Sequence, residues 1–326
     1  MRFNKLDLNL LVVLDAVLST RSVSRAAERL YLSQPATSLS LSRLREYFED
    51  ELLVPVGKTQ VPTALANELM KPVRDVLLQL QTITRARPGF DPATSTRRFT
   101  IESSDYVISV LLSEVVRRAA TLAPLMQFDL RAMSPQMREH LDSGEIELLI
   151  SPDFAIVPGH PSEPLFEDTF SCLLCLDQPV KGKRLGAEQY FESAHVGIEW
   201  AGGRRVTFDA RLISTGRRTR RQDVIAPNFT LVPELLLGTA RIATLPTRLA
   251  HQMARRFPLQ VQPCPIEIPG FTEKLQWHKH QDRDPAIVWL RSLLRETAQG
   301  LPELKSLKAA RPTARSTPPR RRARAQ

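Results

Sequence analysis

The sequence predicts a multidomain protein: a small all-α unit that carries a β-hairpin, one long connecting helix, and an α/β domain of two lobes. Three observations support this fold class. The chain has 326 residues, more than one hydrophobic core usually organises. Its first 63 residues show the apolar spacing of helices, and from about residue 96 strand-like and helix-like segments alternate.

Composition and charge exclude several classes of protein. With 42% apolar and 25% charged residues the chain reads as globular. It shows no signal peptide and no stretch of about 18 apolar residues that could span a membrane. Its three cysteines are an odd set that suits a reducing compartment, so we expect a cytoplasmic protein without membrane contact.

The net charge of +10 does not by itself indicate nucleic-acid binding, because it is unevenly distributed. Residues 1–63 carry eight basic and seven acidic residues, whereas residues 300–326 carry eight basic residues and one acid. Residues 305–326 contain almost no bulky apolar side chains and predict a disordered basic tail; non-specific phosphate binding is the alternative.

Three helices are predicted at the N-terminus. The first has an apolar stripe at i, i+3, i+4, i+7 and i+8. Ser22 is a suitable N-cap for a second helix, and Ser33 caps a third that ends near Phe48. The stripe of the first helix consists of Leu10, Val13, Leu14, Val17 and Leu18.

The third helix has two different faces. One face is predicted to pack on the first two helices and carries Thr37, Leu41, Leu44 and Phe48. The opposite face carries Gln34, Ser38, Ser42 and Arg45. Side chains of this type on a short helix are what the major groove of DNA admits, although any three-helix bundle with a solvated face shows the same pattern.

A β-wing and a long helix follow. Residues 52–62 read as two short strands around Gly57, which completes a winged helix-turn-helix over residues 1–63. Thr63 is predicted to cap a helix over 64–89, whose apolar residues keep a 4-3-4-3 spacing. This spacing forms an apolar seam along one side of the helix, and a seam on a helix between two domains predicts dimerisation with the same helix of a second subunit. The seam consists of Leu69, Val73, Val76, Leu80 and Ile83.

The α/β domain is predicted over 90–304. A Pro/Gly/Ser-rich linker at 85–95 precedes a βαβαβ pattern, which is typical of a parallel sheet. We place the first lobe at about 96–169 and 264–300 and the second at about 170–263. The last helix, 285–298, should return to the first lobe. Cys172 and Cys175 have the spacing of a redox or zinc half-site, but in a strand they point to opposite faces, so we expect two packed thiols.

Three sequence blocks in the N-terminal unit resemble the LysR-type transcriptional regulators: SRAAERL (24–30), LSQPATS (32–38) and RLREYF (43–48). The resemblance extends over about residues 1–300. RRFTIESSDY (97–106) and the segment 228–249 are similar to the NodD/NahR-like subgroup, which comprises nodulation-gene and salicylate-responsive regulators.

The resemblance implies roles for residues of the helix-turn-helix. Gln34, Pro35 and Ser38 match positions that contact bases or the thymine methyl group. Leu39 and Val56 depart from the family pattern, since arginine is usual at both, which puts insertion of the wing into the minor groove in doubt. The remaining predicted DNA-binding residues are Ser33, Ser42, Arg43, Arg45 and Lys58.

The resemblance also implies a periplasmic-binding-protein-like effector domain with its ligand between the lobes. Several of the residues predicted to bind the effector have a structural role as the alternative. Ser104 or Asp105 would cap a helix, Arg204 would be a solvated surface side chain, and the aromatic residues would belong to the hydrophobic core. The predicted effector-binding residues are Ser103, Ser104, Asp105, Phe154, Trp200, Arg204, Phe229 and Thr230.

The sequence and the resemblance together imply a transcriptional activator that binds double-stranded promoter DNA as a homodimer or homotetramer, contacts RNA polymerase and responds to an aromatic effector, phenolic or flavonoid. The alternatives are a ligand-binding protein, or a repressor of the same fold with a non-aromatic effector. We expect no enzyme activity, catalytic residue, metal site or cofactor, because no catalytic motif or metal-ligand spacing accompanies the six histidines.

Overall fold

The computed structural model describes residues 2–3, 6–57, 59–85, 90–180, 182, 184–200, 204–205 and 220–304. At 2, 3, 81, 82, 84, 85, 199, 200, 204 and 205 it describes the backbone alone. Lys58 and the predicted tail at 305–326 therefore lie outside the described residues. No helix of the described part is long and apolar enough to cross a membrane.

The N-terminal unit begins with a short hairpin, β1 (Arg2–Phe3) and β2 (Leu6–Asp7), and continues as α1 (Asn9–Thr20), α2 (Val23–Leu30) and α3 (Gln34–Phe48). Both predicted caps are confirmed. The Ser22 hydroxyl accepts the N–H of Arg25, and the Ser33 hydroxyl accepts the N–H of Ala36. These caps fix where α2 and α3 begin and hence the turn between them.

The helical core and the wing also match the prediction. Leu14, Leu41 and Leu44 are buried where α1, α2 and α3 meet, and each contributes about 1.5–3 kcal/mol by its removal from water. Strands β3 (Leu53–Val56) and β4 (Thr59–Pro62) pair antiparallel. Gly57, at φ +62°, supplies the left-handed backbone conformation that their tight turn needs.

The long helix α4 (Ala64–Arg85) shows that part of the predicted seam is wrong. Val73 is 5% exposed and Leu69 is partly buried, and both pack on the core of the N-terminal unit rather than facing outward. The same 4-3-4-3 spacing serves an internal core and an intersubunit seam, so spacing does not distinguish them. Val76 (40% exposed) and Ile83 (68%) do face outward, and Leu80 is half-buried.

The first lobe, lobe I, contains a five-stranded sheet in the order β6-β5-β7-β15-β8. Strands β5, β6 and β7 run parallel, which confirms the predicted βαβαβ unit, and β15 runs antiparallel between β7 and β8. Its elements are β5 (Arg98–Ser103), α5 (Asp105–Val107), a π-helical segment (Ile108–Leu112), α6 (Ser113–Leu122), β6 (Gln127–Ala132), α7 (Met137–Ser143), β7 (Leu148–Pro152), a 3₁₀ turn (Asp153–Ala155), β8 (Ser162–Asp168), β15 (Phe271–Trp277) and a second 3₁₀ turn (Lys279–Gln281).

The second lobe, lobe II, contains a sheet along the path β11-β10-β13-β9-β14, with β12 paired to β10. Strand β9 runs antiparallel to both of its neighbours. Its elements are β9 (Phe170–Cys175), α8 (Ala187–Glu192), β10 (Ala194–Trp200), β11 (Arg204–Arg205), β12 (Arg221–Ala226), α9 (Val232–Leu236), β13 (Ile242–Pro246), α10 (Thr247–Arg256) and β14 (Leu259–Pro263).

The chain crosses between the lobes twice, at Thr169 between β8 and β9 and again over 264–270 between β14 and β15. One apolar cluster is continuous across both lobes. The last helix, α11 (Pro285–Gln299), returns to lobe I as predicted and packs on β8 and α6. Leu290 and Leu294 are buried there, whereas Val288 is 43% exposed.

Helix α4 also packs on lobe I. Leu78 is buried, and a Cβ at Gly144, at the end of α7, would collide with its side chain. On the same side, Asp75 faces His278, Lys279 and His280, at distances of 3.6 to 3.8 Å from its carboxylate oxygens. The described structure therefore joins the N-terminal unit to lobe I through one helix that contacts both.

Candidate functional site

The outer face of α3 is polar and accessible. Gln34, Ser38 and Ser42 lie on it and are all exposed, while Thr37 and Leu41 on the opposite face are buried. Hydroxyl and amide groups at this spacing can donate and accept hydrogen bonds along several successive base edges. The remaining predicted residues at the start and middle of the helix, Ser33, Pro35 and Arg43, are exposed as well.

Apolar side chains share this surface. Leu39 is 65% exposed beside Ser38, and Tyr31 and Leu32, in the turn before α3, are 97% and 45% exposed. Of these three residues, only Leu39 was singled out from the sequence, as a departure from the family pattern. Large exposed apolar groups next to a polar helix face are suited to contact thymine methyl groups or sugars. In the sequence, Tyr31, Leu32 and Leu39 are marked only by falling outside the apolar spacing that predicts the buried helix faces.

Arg45, one of the predicted DNA-binding residues, also bonds to the wing. Its guanidinium donates to the carbonyl oxygens of Glu51 (2.8 Å) and Leu53 (3.1 Å) and forms an ion pair with the Glu51 carboxylate at 3.2 Å. These bonds hold the first strand of the wing against α3. Arg45 thus helps to position the wing through Nε and Nη2, while its side chain stays 37% exposed, and its contact with DNA remains a prediction.

Two of the predicted cleft residues meet across the lobes. The carboxylate of Asp105, at the start of α5 in lobe I, accepts the backbone N–H of Thr230 in lobe II at 2.8 Å. The Thr230 hydroxyl donates to Asn228 Oδ1 at 2.9 Å, and the same oxygen accepts the N–H of Leu231. This contact closes one side of the junction between the lobes.

The predicted serines are committed to local structure. Ser103 is fully buried at the end of β5. The Ser104 hydroxyl accepts the N–H of Val107 at 3.3 Å, which confirms the alternative role of a helix cap. Asp105 is therefore the member of this loop whose side chain reaches the other lobe.

The predicted aromatic residues belong to the packed junction. Phe229 is 7% exposed and lies edge-on to Tyr106, with 6.3 Å between ring centroids, while Phe154 lies 6.4 Å from Phe271. In this structure Phe229 therefore has the alternative role, that of a core residue. Trp200 and Arg204 are described by their backbone alone, so the roles predicted for their side chains lie outside the described residues.

A buried carboxylate between the lobes was not predicted. The Tyr106 hydroxyl donates to Asp168 Oδ2 at 2.6 Å, and the backbone N–H groups of Thr169 and Arg248 donate to the same carboxylate at 2.7 and 3.3 Å. Burial raises the pKa of Asp168, and the hydrogen bonds from Tyr106 and Thr169 oppose that rise. A lone acid at the end of a strand offers no sequence signal of burial.

Glu273, on β15, is the second unpredicted acid. Its side chain is fully buried, and the register places it opposite Pro152, next to the segment that follows β7. Burial, together with the negative charges of Asp168 and Asp153, raises the pKa of Glu273 to about 8. At neutral pH this carboxyl group is mainly protonated, so it presents a hydrogen-bond donor at the lobe junction.

A surface concavity lies elsewhere. It has a volume of about 520 Å³ at the edge of lobe II, and its lining includes Gln178, Gln189, Arg221, Asp223 and Arg241. These residues do not belong to the predicted cleft. At the lobe junction, aromatic rings of the two lobes pack on one another, as in the pairs Tyr106–Phe229 and Phe170–Phe271.

Two family descriptions match the chain. Residues 8–67 match the family described as bacterial regulatory helix-turn-helix protein, lysR family, and residues 93–299 match the LysR substrate binding domain. Nodulation protein D 1 of Bradyrhizobium diazoefficiens is 39% identical over 301 residues, which cover 92% of this chain and 96% of that protein. Nodulation protein D 2 of Rhizobium tropici is 40% identical, covering 91% and 95%.

Solved structures are similar over most of the chain. A probable transcriptional regulator from Pseudomonas aeruginosa is 29% identical with a TM-score of 0.61, over 91% of this chain and 98% of that one. A full-length OxyR variant from the same organism has a TM-score of 0.70 at 18% identity, over 97% and 100%. This second likeness concerns the fold alone.

Proposed function

The chain belongs to the LysR family of bacterial helix-turn-helix regulators, and from that premise we propose which surfaces read DNA, bind the effector and join subunits. As a member of the family it is a DNA-binding regulator of transcription with an effector-binding domain, not an enzyme. The observation that carries the proposal is the exposed polar face of α3, presented by an otherwise buried three-helix core.

We assign base reading to Gln34, Pro35, Ser38 and Ser42. Their side chains are exposed along one side of α3, at the spacing with which a recognition helix follows the major groove. Phosphate contacts are assigned to Ser33, at the amino end of the helix, and to Arg43. Lys58 keeps the wing contact that the resemblance implies. Residues 1–63 form the DNA-binding unit.

We assign the effector to the junction of the lobes within residues 90–304 and propose a small aromatic compound, a phenol or flavonoid. Rings from both lobes support this choice, since Tyr106 and Phe271 of lobe I pack against Phe229 and Phe170 of lobe II. A ligand that enters must part these rings and can replace their contacts with its own. Protonated Glu273 and the Asp105 carboxylate supply directed polar groups beside them.

We propose that the regulator works in the cytoplasm as a homodimer or homotetramer and that it activates transcription through contact with RNA polymerase. Its dimerisation segment is the one predicted at 64–89, of which the structure describes α4 (Ala64–Arg85). Val76 and Ile83 are the exposed apolar residues that support this use of α4, with Leu80 between them. Effector binding shifts the closure of the lobes, and α4, which contacts lobe I and the helix-turn-helix, carries the change to the DNA-binding units.

The experiment combines DNA retention with ligand screening. The full chain should retard DNA that carries its own promoter more strongly than random DNA in gel-shift assays. Phenols and flavonoids at a hundredfold excess over Kd should stabilise the fold by about 2.7 kcal/mol in thermal unfolding. Stabilisation by sugars or amino acids alone would contradict the aromatic effector and favour the non-aromatic alternative. Equal retention of all DNA would contradict the assigned base reading.

A further inference from the structure

Three of the six histidines of the chain lie where α4 meets lobe I. His160 lies just before β8, His278 directly follows β15, and His280 belongs to the 3₁₀ turn that comes next. The ring centroids of His160 and His278 are 4.9 Å apart, and those of His278 and His280 are 5.1 Å apart. The three imidazoles therefore form one row, in which a charge on one ring opposes a charge on the next.

Helix α4 faces this row with the carboxylate of Asp75. Asp75 Oδ1 lies 3.8 Å from His278 Nε2 and 3.7 Å from His280 Nε2, which is close enough for electrostatic attraction and too long for a direct hydrogen bond. Asp75 Oδ2 lies 3.6 Å from Nζ of Lys71, one turn earlier in α4, and 3.6 Å from Nζ of Lys279. One carboxylate of α4 is thus shared between two lysines and two histidines.

Hydrogen bonds place the protons of the two inner rings. His278 Nδ1 accepts the backbone N–H of His280 at 3.2 Å, so the proton of the neutral His278 ring is on Nε2, the nitrogen nearer Asp75. His160 Nε2 donates to Asp142 Oδ1, in α7, at 2.7 Å, because an ionised carboxylate only accepts. His278 is fully buried and the His160 side chain is 3% exposed. A further proton on either ring would therefore create a charge that water does not reach.

We propose that this cluster is an acid-sensitive latch: lobe I holds α4 while His160, His278 and His280 are neutral, and it releases α4 when they take up protons. With neutral rings, the two lysines are balanced by the two carboxylates, whereas three added protons leave three positive charges without a counterion. A second proton on His278 must also occupy Nδ1, which removes the acceptor of the His280 N–H. Separation of α4 from lobe I lets water reach these charges and so relieves the cost of burying them.

The titration of the cluster sets the direction of the effect. Burial, with the charges of His160, His280 and Lys279, lowers the pKa of His278 from 6.5 to about 4, and Asp75 opposes only part of this change. Because the held state binds protons less readily than the released state, the latch is stable above about pH 6.5 and weakens as pH falls toward 4. Burial acts to raise the pKa of Asp75, but the neighbouring lysines and histidines lower it overall, so Asp75 stays ionised in this range.

The place of the latch in the fold connects it to the DNA-binding unit. Val73, two residues before Asp75, is packed in the core of the N-terminal unit, so α4 stays with that unit when lobe I lets go. Release then changes how the effector domain holds the helix-turn-helix. The cluster lies outside the junction of the lobes, so pH acts on the regulator through a different contact from the one assigned to the effector.

The test is hydrogen exchange of the full chain, without DNA or effector, at about pH 7.5 and about pH 5, with each rate divided by the intrinsic rate at that pH. We expect protection over 71–80 to fall at the lower pH by up to about thirtyfold, the change that a histidine titrating at about 4 when held and 6.5 when released produces. Protection of β5 (Arg98–Ser103), in the core of lobe I, should stay constant. The result depends on neither the assigned base reading nor the assigned effector.

Two variants remove titrating rings. His278→Gln takes up no proton, and its amide oxygen can still accept the N–H of His280, so most of the pH dependence over 71–80 should disappear. His280→Gln changes a side chain that is 22% exposed, which the fold tolerates more easily, and it should reduce the dependence. His251→Gln is the matched control. Burial also lowers the pKa of His251, but this residue lies in α10 of lobe II, outside the cluster, and the variant should behave like the parent chain.

Three results would overturn the latch. The first is equal protection of 71–80 at both pH values, and the second is full pH dependence in both His278→Gln and His280→Gln. The third is an equal loss of protection over β5, since acid would then unfold lobe I as a whole instead of releasing α4.

Discussion

Tyr106 donates its hydroxyl to the buried Asp168 carboxylate at 2.6 Å, and through that carboxylate it is linked to the other lobe. Asp168 ends the last strand of lobe I before the crossover, and it also accepts the N–H of Arg248 from α10 of lobe II. A buried carboxylate with donors on both sides of the junction stabilises one arrangement of the lobes, because separating them leaves the charge with fewer donors. Movement of the lobes must therefore change the surroundings of Asp168.

Replacing Tyr106 by Phe removes the hydroxyl and keeps the ring. We expect the effector domain to lose about 1–3 kcal/mol of unfolding free energy, because a hydrogen bond to a buried charged group is lost. Urea unfolding of the full chain measures the change. Tyr47→Phe is the matched control, since Tyr47 is 42% exposed, and it should unfold like the parent chain. Equal stability of the two variants would contradict the role given to the hydroxyl.

Glu273 should make stability depend on pH. Burial, with Asp168 and Asp153, raises its pKa from 4.5 to about 8, so between these values the folded chain holds a proton that the unfolded chain has released. The stabilising contribution is complete below about pH 4.5 and disappears as pH rises through about 8. Glu273→Gln should flatten this decline in the unfolding free energy. An unchanged pH profile in the variant would show that Glu273 does not titrate in this range.

Gln34→Ala or Ser38→Ala should weaken binding to a site selected from random DNA by about 1–3 kcal/mol and leave affinity for unrelated DNA intact. The reason is that bonds to base edges are lost while phosphate contacts remain. Arg43→Ala is the contrasting variant, because loss of a phosphate contact should weaken all sequences alike and lower the salt slope by about 0.9. Fluorescence anisotropy over a salt series measures both. Parallel losses in all three variants would contradict the division of roles.

Ile83→Asp should weaken dimers without unfolding the chain. Ile83 is 68% exposed, so a charge there costs little in the monomer, but it would be buried unpaired between two α4 helices. Val73→Asp makes the same change at a residue that is 5% exposed in the N-terminal core, and it should lower the melting temperature instead. Sedimentation and thermal unfolding separate the two effects. An Ile83→Asp chain with an unchanged sedimentation coefficient would exclude this face of α4 from the interface.

Deletion of residues 305–326 should reduce the dependence of DNA affinity on salt while the preferred site stays the same. The segment contains eight basic residues and no acid, and such a charge acts on phosphates without regard to sequence. Binding of the shortened chain across a salt series, with the selected site and with random DNA, measures both properties. A change in the preferred site would show that the segment contributes to base reading.

Local patterns in the sequence determined most of the architecture. The caps Ser22 and Ser33, the buried face of α3 and the βαβαβ order of lobe I all depend on residues a few positions apart, and they were predicted correctly. The family was recognisable for the same reason, since its motifs lie in continuous segments of the helix-turn-helix.

Tertiary structure alone decided what each side chain faces. Val73 and Ile83 are members of one apolar spacing, yet one is in the core and the other in solvent, because α1 covers only the first part of α4. Arg43 and Arg45 lie two residues apart, yet Arg43 is exposed, whereas the guanidinium of Arg45 donates to carbonyl oxygens of Glu51 and Leu53 at the wing. Tyr106, Asp168 and Glu273 are far apart in the chain and meet only because β15 returns between β7 and β8. Spacing along a chain fixes direction within a helix or strand, whereas burial and charge environment depend on distant segments.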